Sequence, residues 1–151
     1  MKKTEKSRNV LVIHGPNLNM LGKREPEIYG TTTLDEINRD LKRFGKKLGL
    51  RVEAFQSNHE GAIVEKIQDA VSTQNGIVIN PAAYTHTSLA IRDALLLLDI
   101  PVVEVHLSNI YKRESFRHTS LIDDIVTARL SGFGVHGYTM AVEALSRLLK
   151  E

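Results

Sequence analysis

Apolar and polar positions in this chain alternate between two periods. Residues 10–13 (VLVI) form a short aliphatic run, the pattern of a buried strand. A loop of about fifteen residues follows, which is long for a compact domain and therefore a candidate for function. Thr33 and Glu36 have capping-box spacing, and Leu34, Ile37, Leu41, Phe44 and Leu48 recur at helical intervals up to Gly49. Residues 51–56 read as a second strand, and residues 62–71 as a helix on Ile63, Ile67 and Val71. Residues 76–80 (GIVIN) are a continuous buried strand stopped by Pro81. A third helix, apolar on several sides, is predicted over 87–98, and a fourth strand over 101–106 (PVVEVH). Residues 108–120 are polar and irregular. Residues 125–133 contain a fifth strand, with helix an open alternative at their start. Residues 136–150 close the chain as a helix with Met140, Leu145, Leu148 and Leu149 facing inward.

Strands alternating with helices predict a parallel sheet covered on both faces. Right-handed crossovers leave few topologies. Five such units in 151 residues suit an α/β, flavodoxin-like three-layer fold, with a five-stranded parallel sheet of order 2-1-3-4-5. No internal repeat, linker or low-complexity segment interrupts it.

Charge changes this picture little. Lys2, Lys3, Lys6 and Arg8 against Glu5 put +3 in the first eight residues, more than the whole chain's +2. The basic pI of about 8.9 thus owes much to a short tail and argues poorly for nucleic acid. The tail has no apolar centre, so no secretory signal is expected, and residues 94–98 are far too short an aliphatic run to span a bilayer. With no cysteine there is no disulfide, thiolate nucleophile or cysteine-based zinc site. A cytoplasmic protein, bound to neither nucleic acid nor membrane, is expected.

Ligands of open α/β sheets bind at the carboxyl ends of the strands. Strand one delivers His14 and Asn17 there; strand three delivers Asn80, Tyr84, His86 and Ser88; strand four delivers His106, Leu107, Ser108 and Asn109. These strands are neighbours in the order 2-1-3-4-5, so three segments should converge on one crevice. Glu104 and His106 share a strand face, and a carboxylate beside a histidine fixes its tautomer and favours the imidazolium of a general acid. In the first loop Arg24 lies five residues before Tyr29, and a nearby guanidinium stabilises a phenolate base. Each feature also has a plainer reading. Asn17 and Asn80 could merely cap turns. His86 could open a helix, Glu104 and His106 could be a buried ion pair, and Tyr29 could lie on the surface. Lys112, Arg113 and Arg117 are either a solvated face or a carboxylate site. No HExxH, GxxxxGK[ST] or GxGxxG occurs, so neither metal nor nucleotide is expected. The inventory suits acid/base chemistry on a small anionic substrate, without cofactor.

The blocks HGPNLNMLGKREPEIYG, QSNHEG, NPAAYTHTS, EVHLSN and ESFRHTS, in this order, closely resemble the type II 3-dehydroquinate dehydratase family. The resemblance covers nearly everything after the basic tail. It implies residues 1–8 as a tail and 9–151 as a single flavodoxin-like catalytic domain. It also implies reversible anti elimination of water from 3-dehydroquinate, giving 3-dehydroshikimate through an enolate, in the shikimate pathway. The family uses no metal or cofactor and assembles as a homododecamer, a tetramer of trimers. Position by position, the resemblance makes Tyr29 the base, Arg24 its support and His106 the acid. Asn17 holds a water against the enolate oxygen. Asn80, His86, Leu107, Ser108 and Arg117 match substrate-binding positions, and Asp93 matches an acidic residue reaching a neighbouring subunit's site. Ala82 stands where the family often has glycine, and Met20 where leucine is usual. Residues 20–30 are expected to be a lid.

Other flavodoxin-like functions fit less well. A phosphoryl receiver wants aspartate where Asn80 stands, and a flavin site wants a phosphate-cradling loop where GPNLNML supplies bulky residues. A non-catalytic subunit would have no need of the set Asn17, Arg24, Tyr29 and His106.

Overall fold

The computed structural model describes residues 8–150; the basic segment 1–7 lies outside the described residues. Strands β1 (Arg8–His14), β2 (Leu50–Gln56), β3 (Gly76–Asn80), β4 (Val102–His106) and β5 (Ala128–Ser131) form one parallel sheet in the order β2-β1-β3-β4-β5. Between and after them lie α1 (Pro26–Tyr29), α2 (Leu34–Lys47), α3 (Glu60–Thr73), α4 (Leu89–Leu95) and α5 (His136–Leu148). The architecture is the flavodoxin-like one that the alternating pattern predicts.

Alternation along the strands sorts the core into two halves. Val10 and Val12, with Val78, Val103 and Val105, pack under α2 and α5 through Leu34, Ile37, Leu41, Tyr138 and Leu145. Leu11 and Ile13, with Ile77 and Ile79, pack under α3 and α4 through Ile63, Ile67, Ile91 and Leu95. Successive strand residues point to opposite faces, so a run apolar at every position must be buried on both.

α2 starts as expected. The Glu36 N–H donates to Thr33 Oγ1, the Thr33 N–H donates to Glu36 Oε2, and two orphan donors are satisfied. α5 corrects one expectation. Its buried stripe is Tyr138, Ala141, Val142 and Leu145, while Met140 is 39% exposed. Met140 lies two residues from Tyr138, and residues so spaced do not share a helix face. On α3 the buried residue after Ile67 is Ala70 rather than Val71, again by helical drift. α4 is shorter than the predicted span. Ser88 Oγ accepts from the Ile91 N–H and starts it late, and Leu96 and Leu97 lie past its end, exposed. β5 occupies only residues 128–131, with Ile122 buried in the turn before it.

The long first loop is more regular than its composition suggests. Residues Leu18–Met20 make a 3-10 turn, and α1 forms a single helical turn with Pro26 at its first position, where a missing N–H costs nothing. Gly30, at φ 80°, ends that turn. Gly15 is required by contact rather than by torsion. A β-carbon there would stand 2.4 Å from the Pro81 carbonyl oxygen, so the loops after β1 and β3 touch backbone to backbone.

Candidate active site

The strand register places the polar ends together. His14 pairs with both Gln56 and Asn80, and His106 pairs with Ser131, so the loops leaving β1, β3 and β4 open on one side of the sheet. They enclose a cleft of about 240 Å³. Asn17, Arg24, Tyr29, Asn80, His86, His106, Leu107, Ser108 and Arg117 all line it, and so does Arg113. Asp93 does not: it is exposed on α4, outside the cleft of its own chain.

Tyr29 ends α1 between two guanidiniums. Arg113 Nη1 donates to its phenolic oxygen at 2.8 Å and stands 5.5 Å from the ring centroid. Arg24 approaches the ring from its own loop, 5.6 Å from the centroid. Both are within cation–π range. Arg113 is the residue that sequence reasoning left undecided within a basic patch. Its partner is 84 residues away, and no local spacing signals that.

His106 is backed by Glu104. Its Nε2 donates to Glu104 Oε2 at 2.5 Å, and the carboxylate is wholly buried. The same oxygen accepts from Ser120 Oγ at 3.0 Å and Arg129 Nη2 at 3.5 Å. Burial pushes the Glu104 carboxyl up. The hydrogen bond and charge of His106, with Arg129 and Ser120, outweigh burial and hold it below the usual carboxylate range. Glu104 is therefore an anion that orients the His106 ring through Nε2, leaving Nδ1 as the nitrogen without a partner in this pair. His86 Nδ1 donates to the Thr119 carbonyl at 2.7 Å, which turns Nε2 toward the cleft. Burial lowers its pKa, against the opposing Thr119 bond and with help from positive His106 and Arg117.

The loop after β2 braces the first loop. Asn58 Oδ1 accepts from the Asn17 N–H at 2.9 Å and from Gln56 Nε2 at 3.1 Å, while Tyr84 Oη donates to the Asn58 carbonyl. Asn17 sits at φ 68°, a left-handed conformation that asparagine tolerates better than most residues. His14 corrects an expectation. It is fully buried, directed between α2 and α5 rather than into the cleft. Burial lowers its pKa to about 4, against the Asn38 hydrogen bond.

Among the described residues no group of three or more His, Asp or Glu side chains is arranged to hold a metal ion, and no helix is long and apolar enough to cross a membrane. A doubly covered parallel sheet whose strand-end cleft sets a tyrosine between two arginines and a carboxylate-backed histidine marks a flavodoxin-like protein with groups suited to acid/base chemistry. Comparison with known proteins narrows this. The sequence profile described as "Dehydroquinase class II" matches residues 8–146, and the chain belongs to that family. It is 57% identical over 137 residues to the 3-dehydroquinate dehydratase of Acaryochloris marina, covering 91% of this chain and 92% of that one. It is 53% identical over 144 residues to the "Catabolic 3-dehydroquinase" of Aspergillus clavatus, covering 95% and 96%. The crystal structure of the type II dehydroquinase from Propionibacterium acnes superposes with a TM-score of 0.91 at 45% identity, covering 93% of this chain and 97% of that one.

Proposed function

We propose that this protein is a 3-dehydroquinate dehydratase of the shikimate pathway, eliminating water to give 3-dehydroshikimate, with Tyr29 as base and His106 as acid. The Tyr29 phenolate takes the proton next to the ketone. The C–H electrons become the enolate, whose charge must be stabilised as it forms. When the enolate collapses, the carbon–carbon double bond forms and the hydroxyl leaves, protonated by His106, as water. Splitting the two proton transfers between a base and an acid lowers both barriers. Arg24 and Arg113 stabilise the phenolate, and the Glu104 carboxylate holds the His106 ring in place for its proton transfer. Asn17 holds a water against the enolate oxygen. Asn80, His86, Leu107, Ser108 and Arg117 bind the substrate's hydroxyls and carboxylate.

The observation that carries this reading is the arrangement of Tyr29, flanked by two guanidiniums, in one cleft with His106, which the buried Glu104 backs from within the sheet. Residues 20–30, with Gly22 and Gly30 at positive φ, act as the lid that delivers Arg24 and Tyr29 and excludes water. Asp93 serves the cleft of a neighbouring subunit, in a dodecamer built from trimers, and the enzyme works in the cytoplasm. Adding 3-dehydroquinate to the protein tests the activity. The product is a conjugated enone, so ultraviolet absorbance should rise. A flat trace at every pH would overturn the assignment.

A further inference from the structure

Beneath the cleft, away from Tyr29 and His106, four polar side chains from four elements form a single chain of hydrogen bonds, buried except at Asn38, which is half-buried. The Ala82 N–H donates to Asn80 Oδ1 at 3.1 Å. Asn80 Nδ2 and Tyr138 Oη are 3.1 Å apart, Tyr138 Oη and His14 Nδ1 are 2.8 Å apart, and His14 Nε2 and Asn38 Oδ1 are 2.7 Å apart. Asn80 is 3% exposed, and Tyr138 and His14 are wholly buried.

The direction of every bond follows from the first once each buried donor is given an acceptor. A backbone N–H can only donate, so the Asn80 oxygen must face Ala82 and its nitrogen must face Tyr138. The Asn80 amide then donates to Tyr138 Oη, and the acceptor within reach of the buried phenolic proton among the described residues is His14 Nδ1. An imidazole that accepts at Nδ1 must carry its proton at Nε2, where the Asn38 oxygen accepts it. Each donor has one acceptor, in an order that starts at the cleft's own loop and ends on α2. Burial favours the neutral ring that this order needs.

Such a chain is costly to build for packing alone. Buried polar groups are tolerated only when paired, and an apolar residue at position 138 would fill the α5 stripe without that demand. Its one outlet to the cleft is Asn80. We propose that the Tyr138–His14–Asn38 relay holds the Asn80 amide in one orientation toward bound substrate, which makes Tyr138 and His14 positioning residues of this site. The proposal rests on the reading of Asn80 as a substrate-binding residue.

Kinetics of the variants Tyr138→Phe, Asn80→Ala and the double variant, on protein whose wild type turns over 3-dehydroquinate, test the relay. Tyr138→Phe should raise KM about 3- to 10-fold, the range of one lost hydrogen bond, with kcat changed far less. In the Asn80→Ala background the same change should leave KM where Asn80→Ala alone puts it. An equal rise in both backgrounds, or no rise in either, would overturn the relay while leaving the enzyme's assignment intact; a silent wild type would sink that assignment instead. A second measurement needs no variant and no turnover. The imidazole ¹⁵N shifts of His14 should report a neutral ring protonated at Nε2 at pH 7. A ring protonated at Nδ1 would leave the Tyr138 phenolic proton without its acceptor in the chain, break the relay and refute the proposal.

Discussion

The phenolic oxygen of Tyr29 and the guanidinium of Arg113 meet at 2.8 Å across 84 residues of sequence. The contact joins the first loop to the loop after β4, so the proposed base and that second loop share a charged hydrogen bond. Replacing Arg113 with methionine removes both the donor and the charge that stabilises the phenolate. Hydrogen bonds to charged groups contribute about 1.5–3 kcal/mol, so kcat should fall about 10- to 100-fold. The urea midpoint should hardly move, because Arg113 is only half-buried. Steady-state rates of Arg113→Met alongside Tyr29→Phe check this, and a wild-type rate in the arginine variant would leave Arg24 as the sole support.

Glu104 is aimed at His106 from within the sheet. Glu104→Gln keeps the shape and removes the anion, so the His106 ring loses its charged partner. A lost hydrogen bond to a charged group is worth about 1.5–3 kcal/mol, so kcat should fall about 10- to 100-fold. Steady-state rates of the variant measure the loss. An unchanged rate would assign the acid to another group.

Folded-state stability should fall as the medium is acidified below neutrality. Burial holds the His14 ring at about 4, against 6.5 for an ordinary histidine. Between those values the unfolded chain binds a proton that the folded chain refuses. The stabilisation is therefore complete above pH 6.5 and is lost progressively as pH falls toward 4, by up to about 3 kcal/mol. Urea unfolding at half-unit steps from pH 7 to 4.5 should show the slope, and His14→Gln should lower overall stability while flattening it.

Ala82 sits at φ 53°, in the left-handed region where a β-carbon is strained. Ala82→Gly should stabilise the fold by about 0.5–1 kcal/mol, read as a Tm rise of about 1–4 °C. A drop in Tm would mean that the methyl's packing against the core outweighs the torsional strain. At Gly15 the opposite holds. Gly15→Ala drives a methyl into the Pro81 carbonyl, and soluble expression or Tm should fall sharply.

Much of this molecule is legible along the chain. The aliphatic runs of β1, β3 and β4, the capping box at Thr33 and the stop at Pro81 are local signals that the folded chain obeys. Strand ends carry the polar residues, so the crevice too could be placed without coordinates. Boundaries that depend on neighbours were less legible. α4 begins where Ser88 can cap it, and its flanking leucines stay exposed although their composition matches a core. Met140 and Val71 show that apolar identity does not decide which side of a helix is covered; the angle of the residue to the sheet does.

The site divides in the same way. Sequence alone determined which reactive groups stand on which strand end: Tyr29 and Arg24 in one loop, Glu104 and His106 on one strand face, Asn80 before its proline. Those are relations within a few residues, where periodicity and spacing dictate neighbours. Only the tertiary structure decided that Arg113 reaches Tyr29, that Arg129 and Ser120 reach Glu104, and that His14 turns away from the cleft to meet Tyr138 and Asn38. Those contacts join segments distant in sequence, and their partners are chosen by the sheet register and by which layer each side chain enters, quantities that no local pattern of residues encodes.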